Sequence, residues 1–199
     1  VLLEPGLGPA MIFDIGGGST ELVLIESTDT VPRILDWQSV PWGVVSLTET
    51  CGPEGGDRAD RLARFGRMQN LVSESFRPFA ERTTPARLSA SHDGPLRLLG
   101  TSGTVTTLAS LHLDLPQYDR RAVDGLIVPA DAMRDISARL SAMAMDERRE
   151  LPCIGRERAD LVVAGCAILE AILDLWPAAR LGVADRGIRE GILRSLIAT

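Results

Sequence analysis

Three consecutive glycines, Gly16-Gly17-Gly18, stand between two apolar runs, Met11-Ile12-Phe13-Asp14-Ile15 and Glu21-Leu22-Val23-Leu24-Ile25-Glu26. Both runs have the length and residue types of buried strands. A strand on each side excludes a dinucleotide-binding crossover and a P-loop, because both need a helix directly after the glycines. A plain glycine hairpin is the alternative, disfavoured by the backbone entropy that three glycines lose on ordering. Without Cβ atoms the turn lets a ligand approach the main chain, and Ser19 and Thr20 add hydroxyls beside exposed amides, which suits a phosphate cradle. On this reading a β-branched residue at Gly17 would block the amides and tolerate positive φ poorly. After the Thr28-Asp29-Thr30 turn, Arg33 to Val40 reads as a third strand, so residues 11–40 form an antiparallel meander.

Helical periodicity then takes over. Val44 to Thr50 is a short helix; Asp57 to Phe76 is a longer one, with Leu62, Phe65, Leu71, Val72 and Phe76 as its apolar stripe and Pro78 and Pro85 beyond its end. Leu96 to Leu99 is a strand that runs into Gly100-Thr101-Ser102-Gly103-Thr104, from which a helix departs through Val105, Leu108 and Leu111. Residues 116–129 connect onward, with Leu126-Ile127-Val128 able to add a strand, to a helix from Asp131 to Met143 and a helical turn from Asp146 to Glu150. The apolar helix Glu157 to Trp176 is stopped by Pro177. Arg180 to Ala184 is the last strand, and Asp185 is placed to cap a closing helix, Ile188 to Ile197. The order βββαβαβα, without internal repeats, gives an α/β domain with a mixed five-stranded sheet and helices on both faces.

Composition narrows the chemistry. The 21 basic residues are all arginine, which excludes a Walker-A, Schiff-base or kinase-type lysine. A net charge of −6 and 4% aromatic residues argue against nucleic-acid binding, by electrostatics or by stacking. No apolar run is long enough to span a membrane and the first residues lack a signal-peptide pattern, so the expected location is cytoplasmic. Cys51, Cys153 and Cys166 show no paired spacing and are expected as reduced thiols.

Two carboxylates flank the glycines. Strand parity puts Glu21 on the face of Val23 and Ile25, where a carboxylate needs a metal, a water or a donor. Asp14 can serve the turn amides, and together the two suit a Mg2+ ion and a catalytic water. Ser102, Gly103 and Thr104 open a helix, where free amides favour an anion, although a structural cap also accounts for Ser102 or Thr104. Arg58, Arg61, Arg64 and Arg67 recur every three residues and read as a solvated face paired with Asp57 and Asp60 rather than a polyanion track. Arg186 and Arg189 either reach the same cleft or anchor the last helix, and His92 and His112 carry no catalytic signal.

Five blocks in order, Asp14 to Leu22, Pro41 to Glu49, Gly100 to Thr104, Arg158-Ala159-Asp160 and Asp185 to Gly191, resemble the exopolyphosphatase and guanosine pentaphosphate phosphohydrolase (Ppx/GppA) family. The resemblance implies an RNase H-like lobe of the actin, Hsp70 and sugar-kinase superfold. It further implies that residues 1–199 are one domain, the second of two lobes, with the first lobe absent. By matching positions, Gly16, Gly17, Gly18 and Ser19 correspond to a phosphate loop, Asp14 to a carboxylate near Mg2+, and Glu21 to an acid implicated in catalysis. Ser102, Gly103 and Thr104 correspond to a loop bordering the cleft. The implied reaction is hydrolytic release of terminal phosphate from polyphosphate or guanosine pentaphosphate (pppGpp). A kinase or ATPase of the same superfold, and a phosphate or nucleotide sensor, remain alternatives. The implied partners are the substrate and the missing lobe, whose vacant face leaves room for a homodimer.

Overall fold

The computed structural model describes residues 6–28 and 32–185. Strands β1 (Gly8–Ile15), β2 (Thr20–Ser27) and β3 (Arg33–Val40) form the expected antiparallel meander, with a bulge at Leu24/Ile25. Helix α1 (Val44–Cys51) and the long α2 (Arg58–Ala90) follow, then β4 (Arg97–Gly100) and α3 (Gly103–His112). A short α4 (Arg120–Val123) leads to β5 (Ile127–Pro129), α5 (Ala130–Ala142), α6 (Met145–Arg149), α7 (Leu161–Leu175) and β6 (Arg180–Val183). The sheet order is β3-β2-β1-β4-β6-β5, with β1, β4 and β6 parallel and β5 antiparallel to β6. The mixed sheet therefore has six strands rather than five. The sixth is the optional segment at 126–128, which pairs through Val128 and Leu181.

Met11, Phe13, Ile15, Leu22, Leu24, Leu98, Leu181 and Val183 share one face of the sheet and join one core with the helices. Trp176, at the end of α7, fits between Phe76 and Phe79 of α2 at centroid distances of 6.3 and 5.9 Å. The opposite face of the meander carries Ile12, Val23 and Trp37 in one row, with Ile34 beside Ile25, and Trp37 and Ile34 are 65% and 64% exposed. The described helices pack against the first face. The expected closing helix, Ile188 to Ile197, and Arg186 and Arg189 lie outside the described residues.

Helix α2 does not stop before Pro78; it runs 33 residues through both prolines. Each proline removes one backbone donor and frees the carbonyl four residues earlier, Glu74 or Glu81. Pro78, Pro85, Glu74 and Glu81 are all exposed, so water reaches the freed carbonyls, while Phe76, Phe79 and Thr83 continue the buried face. Packing outweighs the local breakers. Helix α7 begins four residues later than expected, because residues 151–160 form a series of turns.

The arginine stripe also divides. Arg64 is buried and donates to the carbonyls of Gly52 and Thr48, Arg61 donates to the carbonyls of Ala142 and Gly56, and Leu62 faces solvent. Asp57 caps α2 through the Ala59 and Asp60 amides instead of pairing with Arg61.

Candidate active site

The parallel strands β1 and β4 end side by side, with Phe13 opposite Gly100, so their following loops share one edge of the sheet. The Thr101 amide donates to the Phe13 carbonyl at 2.9 Å and fixes that register. Crevices beyond the carboxyl ends of adjacent parallel strands are where open α/β sheets bind ligands. Here a cavity of about 190 Å³ is lined by Ile15, Gly16, Gly17, Gly103, Thr104 and Arg158, among others. The structure thus brings together the two loops that the sequence picked out.

Helix α1 sets the glycine turn. The amides of Val44, Val45 and Ser46 would be orphan donors of its first turn, and they donate to the carbonyls of Gly16 and Gly17 at 2.9, 2.8 and 3.2 Å. The Ser46 hydroxyl accepts from the Gly43 amide at 2.9 Å. A Cβ on Gly43 would lie 2.4 Å from the Gly17 carbonyl, so this glycine is what lets helix and turn touch. With the carbonyls turned toward α1, Gly17 and Gly18 are exposed and their amides have no partner among the described residues. Positive φ is not the reason for the glycines: none of Gly16, Gly17 and Gly18 adopts it. A Cβ on Gly17 would meet Val45 at 3.6 Å, an ordinary contact.

Asp14, Glu21 and Ser39 occupy one rung across β1, β2 and β3. Glu21 lies in the row expected from parity, but this is the partly solvated face of the sheet. Its Oε1 accepts from Ser19 at 2.6 Å and from Ser39 at 2.9 Å. Mg2+ is held by one or two carboxylates plus phosphate oxygens and waters, and the Asp14 and Glu21 pair supplies that donor set. Among the described residues no group of three or more His, Cys, Asp or Glu could hold a metal.

At the second loop the Ser102 hydroxyl accepts from the Val105 amide at 3.2 Å and is a helix cap. Thr104 is packed under α7, where a Cβ on Gly165 would fall 2.3 Å from its Oγ1. The loop therefore offers the backbone amides of Gly103 and Thr104 at the positive end of α3.

Arg158 belongs to the Arg158-Ala159-Asp160 block of the resemblance but was not among the expected site residues. In the structure it borders the cavity, with Nη1 4.0 Å from a Cβ placed on Gly103, and its guanidinium has no partner among the described residues. An unpaired guanidinium beside two sets of open amides is a donor set of the kind that suits phosphate oxygens. Gly43 was missed as well; its signal was the Trp-Gly that precedes α1.

Burial pushes the Cys166 thiol up to about 12, and all three cysteines are free thiols. No described helix is long and apolar enough to cross a membrane.

The chain is 31% identical over 192 residues to exopolyphosphatase 2 of Mycobacterium tuberculosis, covering 94% of this chain and 56% of that protein. It is 26% identical to a putative exopolyphosphatase of Haemophilus influenzae, covering 97% of this chain and 54% of that protein. Among solved structures, the Ppx/GppA family member of Aquifex aeolicus superposes with a TM-score of 0.76 at 25% identity, over 96% of this chain and 57% of its own. An exopolyphosphatase from Cytophaga hutchinsonii shows the same fold, with a TM-score of 0.74 at 24% identity, over 100% and 59%. The chain spans just over half the length of these relatives. The model of the Ppx/GppA phosphatase family matches residues 5–199, and the chain belongs to that family.

Proposed function

We propose that this chain forms the second lobe of a phosphoanhydride hydrolase that releases terminal phosphate from polyphosphate. The observation that carries the reading is the convergence of the open amides of Gly17, Gly103 and Thr104 with the Arg158 guanidinium on one cavity. These donors bind the phosphoryl oxygens and orient the chain end. Asp14 and Glu21 would hold Mg2+, which supplies charge withdrawal from the transferring phosphoryl group. The Ser19 and Ser39 hydroxyls leave Glu21 Oε2 for the water that attacks phosphorus. The first lobe, supplied outside residues 1–199, would close the cleft. Nucleoside-capped chains such as pppGpp are a second substrate of the same chemistry, and the cytoplasm is its proposed location.

Glu21→Gln in the two-lobed protein is expected to lower turnover by at least ~10²-fold with an unchanged melting temperature, since it removes charge placed for the transition state. Steady-state phosphate release with polyphosphate checks it, and turnover within about threefold of the parent would remove Glu21 from the mechanism. The isolated chain is expected to release phosphate near background, because half a cleft forgoes an arrangement worth roughly 7–11 kcal/mol. Added first lobe should restore activity.

A further inference from the structure

Arg148 lines no part of the cavity, yet its side chain is completely buried and its donors are distributed over three segments. Nε donates to the Ala159 carbonyl at 2.8 Å, Nη1 to the carbonyls of Met143 and Leu140 at 2.6 and 3.2 Å, and Nη2 to the Glu54 carboxylate. Glu54 lies in the loop after α1, the helix whose first turn holds the glycine turn; Ala159 directly follows Arg158. One guanidinium therefore joins the elements that build the two walls of the cavity.

The arrangement matters because residues 151–160 belong to no helix or strand. Their own hydrogen bonds, such as Ile154 amide to Leu151 carbonyl and Leu161 amide to Arg158 carbonyl, shape the turns without fixing their distance from the glycine turn. The same brace continues on the α1 side, where Arg64 holds the carbonyls of Thr48 and Gly52. Resting on the phosphate reading of the cavity, we infer that Arg148, paired with Glu54, is a positioning residue that sets the Arg158 guanidinium at phosphate-binding distance from the glycine turn. Breaking a buried pair by removing one partner also strands a charge, so the test uses variants that keep a partner or its size.

Arg148→Lys keeps the charge but has no planar fork to span three segments, and Glu54→Gln keeps shape while weakening the anchor. Each is measured by calorimetry with inorganic tripolyphosphate, alone and combined with Arg158→Ala, and by amide hydrogen exchange at Leu161 and Val162, whose amides bond the Arg158 carbonyl. The expected result is about tenfold weaker binding for each single variant, and about tenfold, not hundredfold, for the combination with Arg158→Ala. Exchange at Leu161 and Val162 should accelerate while exchange in α2 stays slow. Additive losses would show that Arg148 does not act through Arg158, and unchanged affinity with unchanged exchange in folded variants would overturn the role outright. If Arg148→Lys fails to fold, Glu54→Gln decides by the same criteria. Failure of the unsubstituted chain to bind tripolyphosphate would overturn the phosphate reading, and the role of Arg148 with it.

Discussion

Gly43 and Cys166 are single residues whose surroundings set what they can tolerate. Gly43→Ala would place a Cβ 2.4 Å from main-chain atoms of Gly17, and neither backbone can yield without moving the turn. A loss of about 1–3 kcal/mol in urea unfolding is expected, the usual cost of overpacking; an unchanged midpoint would show that the turn moves freely. Cys166 is buried in α7 with its thiol raised to about 12, so at pH 8 it stays protonated and inert. A disulfide exchange reagent should modify it only after denaturation. Modification in the native protein would contradict the packing of α7.

At the scale of elements, the structure shows where local signals govern and where packing overrules them. The meander, β4 and α3 were legible because apolar runs, a glycine turn and a serine cap all agree there. The length of α2 was not legible, because Pro78 and Pro85 are strong local breakers and their harmlessness depends on facing water. Restoring the donor with Pro78→Ala should therefore stabilise the protein by roughly 1–3 kcal/mol, the propensity difference in an exposed helix interior. Phe79→Ala, which opens the core beside Trp176, should cost about 3–5 kcal/mol. Thermal unfolding of both variants checks the continuous helix: a destabilising Pro78→Ala would mean that α2 ends near Phe76.

Over the whole molecule, the candidate site was legible as two separate loops, Gly16 to Ser19 and Ser102 to Thr104, because each bears its own local signature. The cavity they share depends on the parallel pairing of β1 with β4, a contact between distant segments that no local pattern encodes. Arg158 stood in a family-like block, but no local pattern pointed it to the cavity: its place is set by turns anchored through a buried arginine, not by periodicity. The central claim is that the open amides of the glycine turn receive phosphate. Gly17→Val tests it most directly, since φ at this position is not positive and a Cβ there meets only Val45 at 3.6 Å, so the fold should survive while the branched side chain covers the amides. Calorimetry with inorganic tripolyphosphate and Mg2+ should show binding to the parent chain and its loss in folded Gly17→Val. Equal affinity in the two proteins would contradict the account and leave the three glycines as an ordinary hairpin turn.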